Sequence, residues 1–184
     1  MNASPVRRRC GFTLVEILVV LIIIGIAAAI VVPQMSTRDD LKVAAAARTL
    51  AADLIYAQNL AITRQSSVRV NFDLPNARYR VVDAATGQTV THPVNKSPYE
   101  MRFGAGGTLG LREAVLAEVV FLGADGETEH VDMGFDDLGT PMAYPASGPP
   151  EPLTGGRVRL RVGGQLLQVD VEPFTGQVRV GPPH

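Results

Sequence analysis

A chain of 184 residues with a formal net charge of −1, from 17 basic and 18 acidic side chains, is one domain's worth with room for a membrane segment, and it is not a polycation seeking nucleic acid. Without tryptophan, and with 5% aromatic residues, it offers no platform for stacking single-stranded bases. Its one cysteine, Cys10, excludes an intramolecular disulfide and a cysteine-built zinc site, and leaves the redox compartment open.

The chain opens with a polar stretch, Met1 to Gly11, in which Arg7, Arg8 and Arg9 stand together. From Ile17 to Val32 every residue is apolar, and extending back to Phe12 adds only Thr13 and Glu16. As a helix this run is long enough to cross a hydrocarbon layer of about 30 Å. Arginines ahead of such a run keep that end cytoplasmic and send the C-terminus across the membrane. Two rival readings exist: a secretory signal cut at Ala27-Ala28-Ala29, and a plain single-pass anchor. Against the first, the run is long for a removed signal and a second helical pattern follows it directly.

Pro33 ends the apolar run and is expected to bend a helix that continues past it. Ser36 to Arg64 contains no Gly or Pro and is rich in Ala, Leu and Arg, which favours helix. Val43, Ala47, Leu50, Leu54, Ala57 and Ala61 step by four and three and form one apolar stripe, while Arg48, Asp53 and Arg64 fall off it. One nearly continuous helix from about Phe12 to Arg64 is expected, greasy all round in its first half and amphipathic in its second.

After Arg64 the period changes to two. Val68, Val70 and Phe72 alternate with Arg69 and Asn71, and after Leu74-Pro75-Asn76-Ala77 a second strand takes in Tyr79 to Val82. Further strands are expected at 118–122, 156–162, 166–171 and 177–180, with Gly163-Gly164 as the tight turn between two of them. Residues 84–116 and 134–155 are rich in Gly, Pro, Ser and Thr and are expected to be loops. The fold class is α+β: a long N-terminal helix packed on an antiparallel β-rich domain.

Gly11-Phe12-Thr13-Leu14-Val15-Glu16, followed by the unbroken apolar run, resembles the type IV prepilin signature, and the short basic leader and Pro33 belong to the same resemblance. It implies that a membrane-embedded prepilin peptidase cuts between Gly11 and Phe12, and that the new amino group of Phe12 is N-methylated. The cut would take the three leader arginines and Cys10 away and leave an acidic chain. Glu16 is a carboxylate in an apolar helix, costly unless paired or near water. The resemblance supplies a partner, the Phe12 amino group of a neighbouring subunit; the plainer reading is a residue that snorkels to the membrane surface. On this resemblance the domains are a leader at 1–11, a transmembrane helix at 12–32, an amphipathic helix at 33–64 and an extracytoplasmic β-rich domain at 65–184.

The segment from Leu50 to Ile62, then Val68 to Phe72, then Phe135 to Pro141, and finally Thr175 to Val180, is similar to the minor pseudopilin group called GspH/FimT, with Gln58 where an arginine is common. Membership implies a minor structural subunit of a type II secretion pseudopilus, anchored in the inner membrane, with its domain in the periplasm and other pseudopilins as partners through the N-terminal helix. The alternative is a minor type IV pilin in pilus assembly or DNA uptake. Some relatives of that kind bind DNA through a basic motif near the C-terminus; here Arg179 stands in such a motif, which lacks its first arginine. Arg157, Arg159 and Arg161 share one face of an expected strand and could contact phosphates, although such a stripe is more often the solvated face of a sheet.

His92, His130 and His184 have no ligand spacing, and Asp132, Asp136 and Asp137 are expected to be turn residues rather than a calcium site. Gly104 to Gly107 lacks the lysine and serine of a phosphate loop. No cofactor, no metal and no enzymatic activity are expected.

Overall fold

The computed structural model describes residues 12–182, and the side chains of residues 12–28 and 38–182. Gly11, the leader arginines, Cys10 and His184 therefore lie outside the described residues, as does the side chain of Pro33 with the bend expected there. The chain divides into two compact units, Met1–Thr37 and Arg38–His184.

Helix α1 covers Leu14–Arg64. Thr13 caps it: its Oγ1 accepts the N–H of Glu16 at 3.2 Å, and its carbonyl accepts the N–H of Ile17. Threonine followed three residues later by glutamate is the pattern of a capping box.

In the second unit, residues 38–64 of α1 share one core with two antiparallel sheets. The strands are β1 (Val68–Asp73), β2 (Arg78–Asp83), β3 (Glu100–Arg102), β4 (Val115–Leu122), β5 (Glu129–His130), β6 (Asp132–Phe135), β7 (Pro141–Tyr144), β8 (Glu151–Pro152), β9 (Gly155–Val162), β10 (Gln165–Val171) and β11 (Val178–Gly181). One sheet runs β3-β2-β1-β6-β7-β8 and the other β11-β10-β9-β4-β5. The chain thus leaves the first sheet after β3, returns to it at β6 beside β1, and leaves again after β8.

The expected helical stripe is buried in full, and Ala46 and Ala51 widen it. From the sheets, Val68, Val70 and Phe72 of β1, Tyr79 and Val81 of β2, Phe121 of β4, Phe135 of β6 and Val158 and Leu160 of β9 fill the other side. Phe72 and Phe121 bring the two sheets together, with ring centroids 5.7 Å apart. Alternation produced this: on β1 and β9 every second side chain turns inward.

Three expectations need correcting. Residues 84–116 are not a plain loop, since they contain β3 and the start of β4, and Val90, Tyr99 and Met101 are buried. Residues 134–155 contain the end of β6, then β7 and β8. Strands of two to four residues carry too few alternations to be seen, and β6 is buried on both faces, so its sequence does not alternate at all. Asp132 is not a turn residue; it opens β6 and is buried.

Candidate functional site

Phe12 and Glu16, expected at the processing and assembly site, lie at the start of α1. Phe12 is 77% exposed, and the large apolar residues from Leu14 to Ile26 are all exposed. From Leu14 to Ile26 the helix therefore presents an exposed apolar surface, which water penalises and which a lipid or other apolar helices would cover. Among the described residues no helix is long and apolar enough to cross a membrane; the apolar run of the sequence continues to Val32, past Ala28, where description of its side chains stops. Glu16 occupies the third helical position, where its carboxylate faces the positive end of the helix dipole.

In the second unit three of the four segments that carried the resemblance meet at one residue. Gln58, on α1, donates from Nε2 to the carbonyls of Gly139 and Thr175, both at 2.9 Å. One loop follows β6 and the other precedes β11, so a single amide ties both to the helix. Each loop turns through a left-handed glycine, Gly139 at φ +85° and Gly176 at φ +67°. A Cβ on Gly139 would stand 2.7 Å from Ile62 Cδ1. On Gly176 it would stand 2.6 Å from Gln58 Nε2 and 2.9 Å from a ring carbon of the buried Phe135. Gly176→Ala combines a disfavoured backbone with that clash and is expected to cost about 2 kcal/mol, readable as a lower midpoint in urea at unchanged slope.

Asp53 corrects another expectation. Counted off the apolar stripe, it is in fact buried, because two donors reach it from the sheet side: the hydroxyls of Tyr79 at 2.5 Å and Tyr99 at 2.9 Å. Burial pushes its carboxyl above the usual range, and the hydrogen bonds from the two phenols offset part of that. Burial, with the carboxylate beside it, pushes both phenols up. The signal that could have found this site was the lone acid in a helix face otherwise made of Ala, Leu and Val.

Asp132 is the second buried acid. Its Oδ2 accepts from Arg69 and from Asn71 Nδ2 (2.8 Å), and its Oδ1 accepts the backbone N–H of Phe72 at 2.8 Å. It stands just past Val70↔Met133, where the pairing of β1 with β6 stops, and its side chain takes over from the backbone there. Arg69 lies over the Tyr144 ring, 5.3 Å from its centroid. Asp136 does behave as a turn residue, accepting the N–H groups of Leu138 and Thr140.

The arginines considered for nucleic acid do share the outer face of the second sheet, but they are interleaved with acids. Glu118 on β4 pairs with Arg159 at 2.8 Å and faces Arg157 at 3.5 Å. Asp170 on β10 lies between Arg157 and Arg179 in register, and Arg179 pairs with Glu172 at 3.1 Å. Arg161 is exposed. Alternating charges on neighbouring strands stabilise a sheet surface and leave little net positive field. Among the described residues no three metal-ligating side chains cluster.

Comparison with known proteins gives two family matches. The prokaryotic N-terminal methylation motif matches residues 6–32, and the family described as type II transport protein GspH matches residues 46–176. Type II secretion system core protein G of Pseudomonas aeruginosa strain PAO1 is 59% identical over 34 residues, 18% of this chain and 24% of that protein. This chain therefore spans about a quarter of the length of that relative. No solved structure matches.

Proposed function

This chain belongs to the type II transport protein GspH family, and on that footing we propose that it is a minor pseudopilin, a structural subunit of a type II secretion pseudopilus. It is made with a leader that prepilin peptidase removes between Gly11 and Phe12. Phe12 is then N-methylated, and the helix from 12 to 32 holds the subunit in the inner membrane with its β-rich domain in the periplasm. Assembly with other pseudopilins runs through the apolar helix.

One observation carries this reading: a single chain has the methylation motif over residues 6–32 ahead of the GspH domain over residues 46–176. The geometry agrees with it. The functional chemistry such a subunit needs is a helix with an exposed apolar surface, and Leu14 to Ile26 present that surface. The buried acids are spent on internal hydrogen bonds, as in a building block.

Mass spectrometry of the protein extracted from membranes tests the processing. The expected N-terminus is Phe12 carrying one methyl group; an intact Met1 to Gly11 would overturn the reading. A second measurement separates secretion from DNA uptake. In detergent, the full chain is expected to cause no salt-sensitive DNA retardation, because Arg157 and Arg159 already face Glu118. Retardation that Arg159→Ala weakens would move the protein to the DNA-uptake class of minor pilins.

A further inference from the structure

Asp53 is the one carboxylate in the docking face of α1, and nothing in the proposed assembly uses it. It is 8% exposed, and its hydrogen bonds are those from Tyr79 and Tyr99. Among the described residues no Lys or Arg pairs with it. Tyr79 lies within β2, which is paired with β1 and β3 on its two sides, and is wholly buried. Tyr99 is different. It closes the segment between β2 and β3, which joins β2 through the isolated bridge Val82↔Thr89 and is folded on itself by a second, Thr91↔Pro98. Backbone bonds tie it to its neighbours near its ends, where Val90 donates to Val81, Val81 to Tyr99 and Ala84 to Ser67, while those of Asp83 to Gln88, His92 to Ser97 and Tyr99 to Val90 lie within it. Its tip, from Pro93 to Pro98, is exposed.

The other titratable groups packed here are Tyr56, which stacks on Tyr99 at 5.2 Å from the helix side, and His92, whose ring lies 4.5 Å from that of Tyr99. Neither lends Asp53 a hydrogen bond. The acid is thus fastened to the segment by a single phenol; His92, on the same segment, is near enough for a positive charge to favour the ionised carboxyl, but burial outweighs it.

We propose that Asp53 is a proton-operated latch between helix α1 and the segment from Asp83 to Tyr99, closed when the carboxyl is protonated and looser when it is ionised. A buried carboxylate without a cation is destabilised by lost hydration, and two phenol hydrogen bonds replace only part of it. Opening the segment lets water reach Asp53, so ionisation favours the open form. Protonation removes the cost of burial while one oxygen still accepts and the new O–H donates to a phenol oxygen. The sign follows from linkage. Burial raises the folded-state value above that of an ordinary, solvated carboxyl, so the closed form binds more protons than the open one between those two values. Protection of the segment is full below that window and falls as pH rises through it.

Amide hydrogen exchange on the full chain in detergent micelles, corrected for the intrinsic rate at each pH, tests this. The amides of Val90 and Tyr99 report the segment, and that of Val169 in β10 reports the domain. The expected result is a loss of protection on raising the pH at Val90 and Tyr99 only, about tenfold for each unit by which burial has raised the carboxyl. Asp53→Asn, a neutral isostere, is expected to hold the segment at its acid-side protection at every pH. A pH profile unchanged by Asp53→Asn would overturn the latch. So would equal losses at Val169, which would make Asp53 a term in global stability only. If Asp53→Asn fails to fold, Tyr99→Phe serves instead: it removes one donor and is expected to steepen the loss at Val90, and an unaltered profile there counts against the proposal.

Discussion

Asp132→Ala is expected to destabilise the β-rich domain by about 3 kcal/mol, seen in urea unfolding as a lower midpoint at unchanged slope. The size comes from what is left behind. Asp132 is 7% exposed and accepts from a guanidinium, a side-chain amide and a backbone N–H. Deleting it orphans the N–H of Phe72 in the interior and removes the countercharge of Arg69, whose side chain is only about a third exposed. The loss also falls on the join of β1 to β6, where a strand from the second half of the chain inserts beside the first hairpin. Asp132→Asn keeps one acceptor and should cost about half as much. If alanine proved nearly neutral, the carboxylate would not be continuing the ladder, and Arg69 on Tyr144 would have to hold the join unaided.

Asp132 also marks the limit of what the sequence made legible. The helix and the long strands could be read because their patterns repeat: six stripe positions from Val43 to Ala61, and the alternation of VRVNF and RVRLRV. The turn from Leu74 to Ala77 and the Gly163-Gly164 turn fell where expected, between β1 and β2 and between β9 and β10. What could not be read depends on partners far away in the chain. Asp132 looks like a loop acid until β6 is placed beside β1, sixty residues earlier in sequence for its bond to Phe72. Asp53 looks solvated until Tyr79 and Tyr99, 26 and 46 residues on, are folded over it. β3, β5 and β8 have only two or three residues each, too short for a period to declare itself. They exist because longer neighbours offer them an edge.

The assembly site was the reverse case. Glu16 was singled out by local chemistry alone, an acid in an apolar helix, and among the described residues its carboxylate makes no ion pair. The arginine stripe was read correctly as one face of a strand, yet its charge could not be judged until Glu118 and Asp170 were known to flank it. Facing direction is set by a period of two; the sign of a surface is set by its neighbours in the sheet.

Glu16→Ala is expected to abolish detectable entry of the subunit into fibres while leaving leader removal intact. Before assembly, the carboxylate sits at the third position of a helix start that Thr13 Oγ1 caps by accepting the Glu16 N–H, at the positive end of the helix dipole. Alanine loses that dipole contribution, worth under about 1 kcal/mol, and keeps the Thr13 cap, so the helix and the peptide bond presented to the peptidase should survive. In a fibre the demand is greater. Removing the leader creates a positive amino group at Phe12, and burying that group among apolar helices without a carboxylate leaves an uncompensated charge, a loss of about 3–5 kcal/mol per contact. Repeated at each neighbouring subunit, a penalty of that size reduces occupancy by more than a hundredfold. Shearing fibres from cells and probing the sheared and membrane fractions separately reads the two effects. Processed Glu16→Ala protein confined to the membrane fraction is the expected outcome. Its normal appearance in sheared fibres would sink the pairing, and would return Glu16 to the plainer reading, an acid that snorkels to the membrane surface.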